Sequence, residues 1–107
     1  MLSRKKLLSY VAETVQKELA GYEFDLFIFG SQANKDELIV ADIDLGIKAN
    51  KPIESILLSR IKHLLNDEFP SLYTFDVVDF SKVDSSFAKV ALQNIEYLHH
   101  DTRKSQR

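Results

Sequence analysis

Only 12 residues separate the run FDLFIF (24–29) from the alternating run DIDLGIKA (42–49), and those 12 are mixed and polar. Two parallel strands need a crossover of a dozen or more residues, usually built as a helix. This stretch has room for one helical turn, so the strands of this chain are not expected to be all parallel. FDLFIF itself is too short for a helix, and its aromatic and β-branched content suits a buried strand. Ahead of it, Leu8, Val11, Ala12, Val15 and Leu19 recur at helical spacing, with Ser3 a candidate N-cap and Gly21 a candidate stop. After 42–49, Asn50-Lys51-Pro52 reads as a turn. Ile53, Ile56, Leu57, Ile61, Leu64 and Leu65 then form a second helical stripe, closed by Pro70. LYTFDVVDF (72–80) is a third strand. Asp84 or Ser85 caps a last helix whose buried stripe is Phe87, Val90, Ala91, Ile95 and Leu98. Beyond His99 the chain turns polar and fraying is expected. The expected architecture is α+β, a mixed sheet flanked by helices. It forms one domain over residues 1–107 with an ordered core of about 3–98.

A chain of 107 residues supports one hydrophobic core and not two. Its net charge of −2 creates no field that would gather nucleic acid, and direct nucleic-acid binding is not expected. The basic residues Arg4, Lys5 and Lys6, and Arg103, Lys104 and Arg107, read as solvated ends. The absence of cysteine excludes disulfide and thiolate chemistry. No apolar stretch approaches the roughly 20 residues of a membrane span, and the N-terminus lacks a signal-peptide core. A cytoplasmic location is the expectation.

The chemistry concentrates in the aspartates. Side chains two apart on a strand share a face, so Asp42 and Asp44 repel each other unless something positive lies between them. Gly30-Ser31, which ends the first strand, lets a phosphate approach the backbone, and Ser31 adds a hydroxyl. Asp76, in FDVV, sits on a third strand that could adjoin the pair, with Asp79 as the alternative. A phosphate cradle beside three carboxylates suits a divalent-cation phosphoryl-transfer site, because Mg²⁺ takes hard oxygen ligands and paired ions stabilise attacking and leaving oxygens. Other candidates have plainer readings. Asp25 is a solvent-facing charge, His63 a surface residue, and Tyr10 and Tyr97 are packing residues. His99, His100 and Asp101 belong to the tail.

Taken together, Gly30-Ser31, Asp42-Ile43-Asp44 eleven residues after Ser31, and Asp76 on a later strand resemble the nucleotidyltransferase superfamily with the polymerase-beta-like fold. The resemblance spans roughly residues 1–98. It implies two Mg²⁺ ions held by Asp42, Asp44 and Asp76, with Asp76 helping to deprotonate the acceptor hydroxyl. It also implies a nucleoside triphosphate such as ATP resting on Gly30 and Ser31, whose nucleotidyl group passes to the acceptor with release of pyrophosphate. The short length resembles the minimal nucleotidyltransferase (MNT) subgroup. That subgroup implies an all-helical HEPN-type partner encoded nearby, a ribonuclease toxin, which the MNT antitoxin neutralises by binding it, by adenylylating one of its tyrosines, or both. Contact-only neutralisation and transfer to a small molecule are the alternatives. Asn34-Lys35 stand where many members carry Arg-Gly, and Ala41 where many carry Ser. The first change replaces a bidentate phosphate donor with a point charge. The second removes a hydroxyl.

Overall fold

The computed structural model describes residues 3–30, 33, 42–68 and 73–101. In chain order it contains α1 (Arg4–Glu18), β1 (Phe24–Phe29), β2 (Asp42–Ala49), α2 (Ser55–His63), a π-helical turn (Leu64–Glu68), β3 (Thr74–Asp79), α3 (Ser85–Ala91) and β4 (Ile95–His99). The sheet order is β3-β2-β1-β4. β1 pairs antiparallel with β2 and with β4, and β2 pairs parallel with β3. The sheet is therefore mixed, and the link between β1 and β2 joins antiparallel neighbours. Among the described residues no helix is long and apolar enough to cross a membrane.

Local chemistry starts the helices where expected. Ser3 accepts the Lys6 N–H at 3.2 Å, and Asp84 accepts the Phe87 N–H at 2.8 Å, each satisfying one of a helix's orphan donors. Against one face of the sheet, α1 buries Leu7, Leu8, Val11, Ala12 and Val15. Ile61 of α2 and Leu65 of the π-turn join the same core. Leu26 and Ile28 of β1, Ile43, Leu45 and Ile47 of β2, and Phe75 and Val77 of β3 meet them from the sheet. Each such side chain contributes roughly 1.5–3 kcal/mol by leaving water. The opposite face carries a second, smaller cluster of Phe27, Phe29 and Phe80, partly covered by α3. Gly46 lies beneath it. A Cβ there would fall 2.3 Å from a Phe27 ring carbon and 2.7 Å from Phe80, so only glycine lets both rings rest on the strand.

Three expectations need correction. The last helix ends at Ala91, Phe87 and Val90 of its expected buried stripe are exposed, and Ile95 and Leu98 belong to β4. The reason lies in β1, buried at all six positions. Without β4, one whole edge of that dry strand would leave its peptide groups unpaired. Ile56, assigned to the core stripe of α2, is 75% exposed, while Ile53 is buried ahead of the helix. Asp25 is also buried. It accepts the Asp101 N–H at 2.9 Å and lies 3.1 Å from His100 Nδ1, so the chain is fastened through Asp101 where fraying was expected. Residues 31–32 and 34–41, Pro70 and residues 102–107 lie outside the described residues.

Candidate functional site

The second face of the sheet has a dry half and a wet half. Moving along β2 from Gly46 toward its N-terminus, the residues on this face are Asp44 and then Asp42, half-buried and exposed. The parallel register sets Asp44 beside Asp76 and Asp42 beside Thr74. Neighbouring strands lie about 4.8 Å apart, and partners across the ladder project to the same face. Asp42, Asp44 and Asp76 therefore share one surface. Asp79 lies at the other parity of β3, with Phe75 and Val77.

Electrostatics agree with this placement. The Asp44 carboxyl is held above the ordinary carboxylate range, first by partial burial and then by the charges of Asp76 and Asp42. Among the described residues, none of the three has a cationic partner within 4 Å. Gly30 follows β1, whose last residue Phe29 is the register partner of Asp44. Its φ of +79° is a left-handed conformation that favours glycine. A Cβ at Gly30 would sit 3.2 Å from Asp44 Oδ2. Ala33 N–H bonds back to the Gly30 carbonyl at 3.3 Å, closing the turn. Ser31 lies outside the described residues.

Asp79 has a different task. Its side chain is 2% exposed. Oδ2 accepts the Ile53 N–H at 3.1 Å, and Oδ1 accepts both the N–H and the hydroxyl of Ser81 at 3.0 and 2.7 Å. It ties the end of β3 to the approach to α2, and its acceptor positions are used inside the protein.

The donor set on the open face is made of hard carboxylate oxygens, the ligands Mg²⁺ prefers, and the strained Asp44 is what a cation would relieve. As they stand, no three or more His, Cys, Asp or Glu side chains among the described residues are gathered to hold a metal ion. The carboxylates share a face and a field without closing on a common point.

One contact escaped the sequence reading. The Asn66 side chain in the π-turn bonds to both backbone groups of Phe75, the residue before Asp76. An asparagine in LLNDE carries no local signal of such a contact, because the partner is set only by the tertiary fold. His63, read as surface, is indeed exposed, and it holds Asp67 Oδ2 at 2.9 Å and Glu68 Oε1 at 3.1 Å. These carboxylates raise its pKa.

No family model matches the chain, and no curated protein is significantly similar to it. Solved structures are. A tri-AMPylated Shewanella oneidensis HEPN toxin in complex with MNT antitoxin aligns at TM-score 0.72 and 13% identity, over 95% of this chain and 76% of that one. The toxin–antitoxin complex MntA-HepT aligns at TM-score 0.71 and 12% identity, over 96% and 78%. A toxin–antitoxin structure with AMP-PNP aligns at TM-score 0.64 and 15% identity, over 89% and 77%. At such identities the likeness establishes the fold. The chain has an α+β fold, a mixed four-stranded sheet flanked by helices. Its particular architecture is that of the MNT antitoxin structures.

Proposed function

We propose that this chain is an MNT-type antitoxin, which binds an all-helical HEPN-type toxin and transfers a nucleotidyl group, AMP from ATP, to a tyrosine hydroxyl of that toxin. The observation that carries the reading is the placement of Asp42, Asp44 and Asp76 on one face of the sheet, with Gly30 and its positive φ at the end of the neighbouring strand. Its neighbours in fold support the same chemistry. One is a complex whose toxin is tri-AMPylated, and another was solved with AMP-PNP. In a third, a mutant of the toxin–antitoxin MntA-HpeT, two aspartates two positions apart were changed to glutamate, the spacing of Asp42 and Asp44 here.

In this reading Asp42, Asp44 and Asp76 would hold Mg²⁺, which would supply positive charge to offset that of the triphosphate. Gly30, together with Ser31, gives the phosphates close access to backbone N–H groups. The acceptor oxygen bonds to the α-phosphorus, and the bond from that phosphorus to the α–β bridging oxygen breaks. Pyrophosphate departs, and the hydroxyl proton passes toward Asp76 or solvent. Among the described residues Asp42 and Asp76 are exposed, and in this reading the toxin covers them and brings the acceptor to within about 3–3.5 Å of the α-phosphorus.

A second reading, neutralisation by contact alone, draws on the carboxylates not being gathered for a metal. Incubating the chain with ATP, Mg²⁺ and its HEPN partner separates the two. Intact mass should show added AMP on the toxin with the wild type and none with Asp42→Ala. Full inhibition of the toxin without any mass change overturns transfer and leaves binding.

A further inference from the structure

We infer that Asn66 is a positioning residue that sets Asp76 on the carboxylate face by clasping the backbone of Phe75 at the open edge of β3. The inference rests on the functional reading above and adds a residue to it. Among the described residues β3 is an edge strand, paired with β2 alone. The Phe75 N–H donates to Asn66 Oδ1 at 2.7 Å, and the Phe75 carbonyl accepts from Asn66 Nδ2 at 2.9 Å. These are the two bonds a further strand would make there. A single side chain thus substitutes for a missing neighbour at one residue, the one preceding Asp76.

The clasp is itself held. Asn66 Nδ2 also donates to the Lys62 carbonyl at 3.0 Å, which uses both amide hydrogens and fixes the orientation of the group. The wide π-turn carries it, and such turns are frequent at functional sites. His63, between the carboxylates of Asp67 and Glu68, braces the same turn. Backbone groups of successive strand residues point alternately to either side, so with those of Phe75 directed outward to Asn66, those of Asp76 are directed at β2. The Phe75 ring is buried in the helix-side core, and Asp76 is exposed on the other face. A one-residue slip of β3 would exchange these two residues and place a phenylalanine beside Asp44. Asn66 acts against that slip at its nearest point.

The test is a double-mutant cycle read by Mn²⁺ binding, measured calorimetrically on the purified chain, with Mn²⁺ alone and with a non-hydrolysable ATP analogue. Groups that orient metal ligands typically change affinity about 10- to 100-fold when removed. Asn66→Ala is therefore expected to weaken Mn²⁺ binding about tenfold or more. Asp76→Ala should do so as well, and Asn66→Ala added to Asp76→Ala should cause no further loss, because its route to the metal is gone. A purely structural staple gives the same loss in both backgrounds. If Asn66→Ala does not fold, Asn66→Gln carries the same cycle, since it keeps the amide but shifts it by one methylene. If wild type and Asp76→Ala differ while the Asn66 variants match wild type, or their loss persists undiminished without Asp76, the positioning role is overturned and the functional reading stands. If the wild type binds no Mn²⁺ in either condition, the reading falls and this role falls with it.

Discussion

β2 runs through two environments at once. Ile43, Leu45 and Ile47 are fully buried against α1 and α2, while Asp42 and Asp44, interleaved with them, face the open side with Asp76. The helix-side face is dry, apolar and complete. The other face is finished with phenylalanine at one end and, among the described residues, carries exposed charge at the other. The difference teaches that the apolar face supplies the stability that allows the opposite face to hold three mutually repelling carboxylates. If this division is real, substitutions on the two faces should fail in different assays.

The largest separation is expected from Asp42→Ala. Nucleotidyl transfer to the partner should fall on the order of a thousandfold or more, about 4 kcal/mol in the barrier, with the metal-free melting temperature unchanged. Transfer that survives would erase the functional side of the contrast. Leu45→Ala, one turn of the pleat away, should do the reverse. It should cost about 2–5 kcal/mol in chemical denaturation and leave Mn²⁺ affinity intact while the protein remains folded. Asp79→Ala tests whether an aspartate on the same strand as Asp76, but of opposite parity, is structural. Losing its bonds to Ile53 and Ser81 should lower stability by about 1–3 kcal/mol, without a direct effect on metal response. Gly30→Ala should cost about 1–2 kcal/mol from the left-handed backbone. Its Cβ, crowding Asp44 Oδ2, should also weaken Mn²⁺ binding measured by calorimetry.

The smallest effect concerns pH. Asp44 has a raised folded-state pKa, so the native state binds its proton more readily than the unfolded chain does. Stability therefore falls as pH rises from the ordinary carboxylate value of 3.8 through the raised one, and the cost is fully present above it. Asp44→Asn should remove that cost. In metal-free protein at neutral pH it should stabilise by no more than about 0.5 kcal/mol, since water still reaches and screens this half-buried group. The gain should vanish below the ordinary value, as urea denaturation across pH would show. A loss of stability at pH 7 would mean that Asp44 makes a favourable contact the repulsion picture omits.

The elements that were legible in sequence are those whose pattern and caps agree. α1 has its apolar stripe and Ser3, and β2 alternates without interruption from Asp42 to Ala49. The placement of Asp42 and Asp44 on one face follows from strand periodicity alone. That Asp76 joins them required a parallel register, which only the tertiary fold sets. β4 was missed because Ile95 and Leu98 also continue the helical spacing of Phe87, Val90 and Ala91. Five residues are too few to separate the two periods. What decided between them was the unpaired edge of β1, a demand made from elsewhere in the chain. Asp25 was misread for the same reason: a charge in an apolar strand looks solvated until the residues that satisfy it, His100 and Asp101, return to it from 75 positions away or more. The clasp of Asn66 on Phe75 is a further case, since amide side chains bond equally well to turn, helix or strand.

The cover of the open face has a consequence for how the protein moves. α3 is seven residues long and buries none of them fully. Its hold on the sheet runs through Phe87, whose ring meets those of Phe29 and Phe80, and through Ala88, Ala91 and Leu92. A helix this short has no independent stability in water, so its persistence is borrowed from three rings. Local opening follows the weakest such attachment first. Amide hydrogens of α3 should therefore exchange with solvent well before those of β1, whose six buried residues share the free energy of the whole domain. The molecule can bare the aromatic end of this face at a small fraction of the work of unfolding.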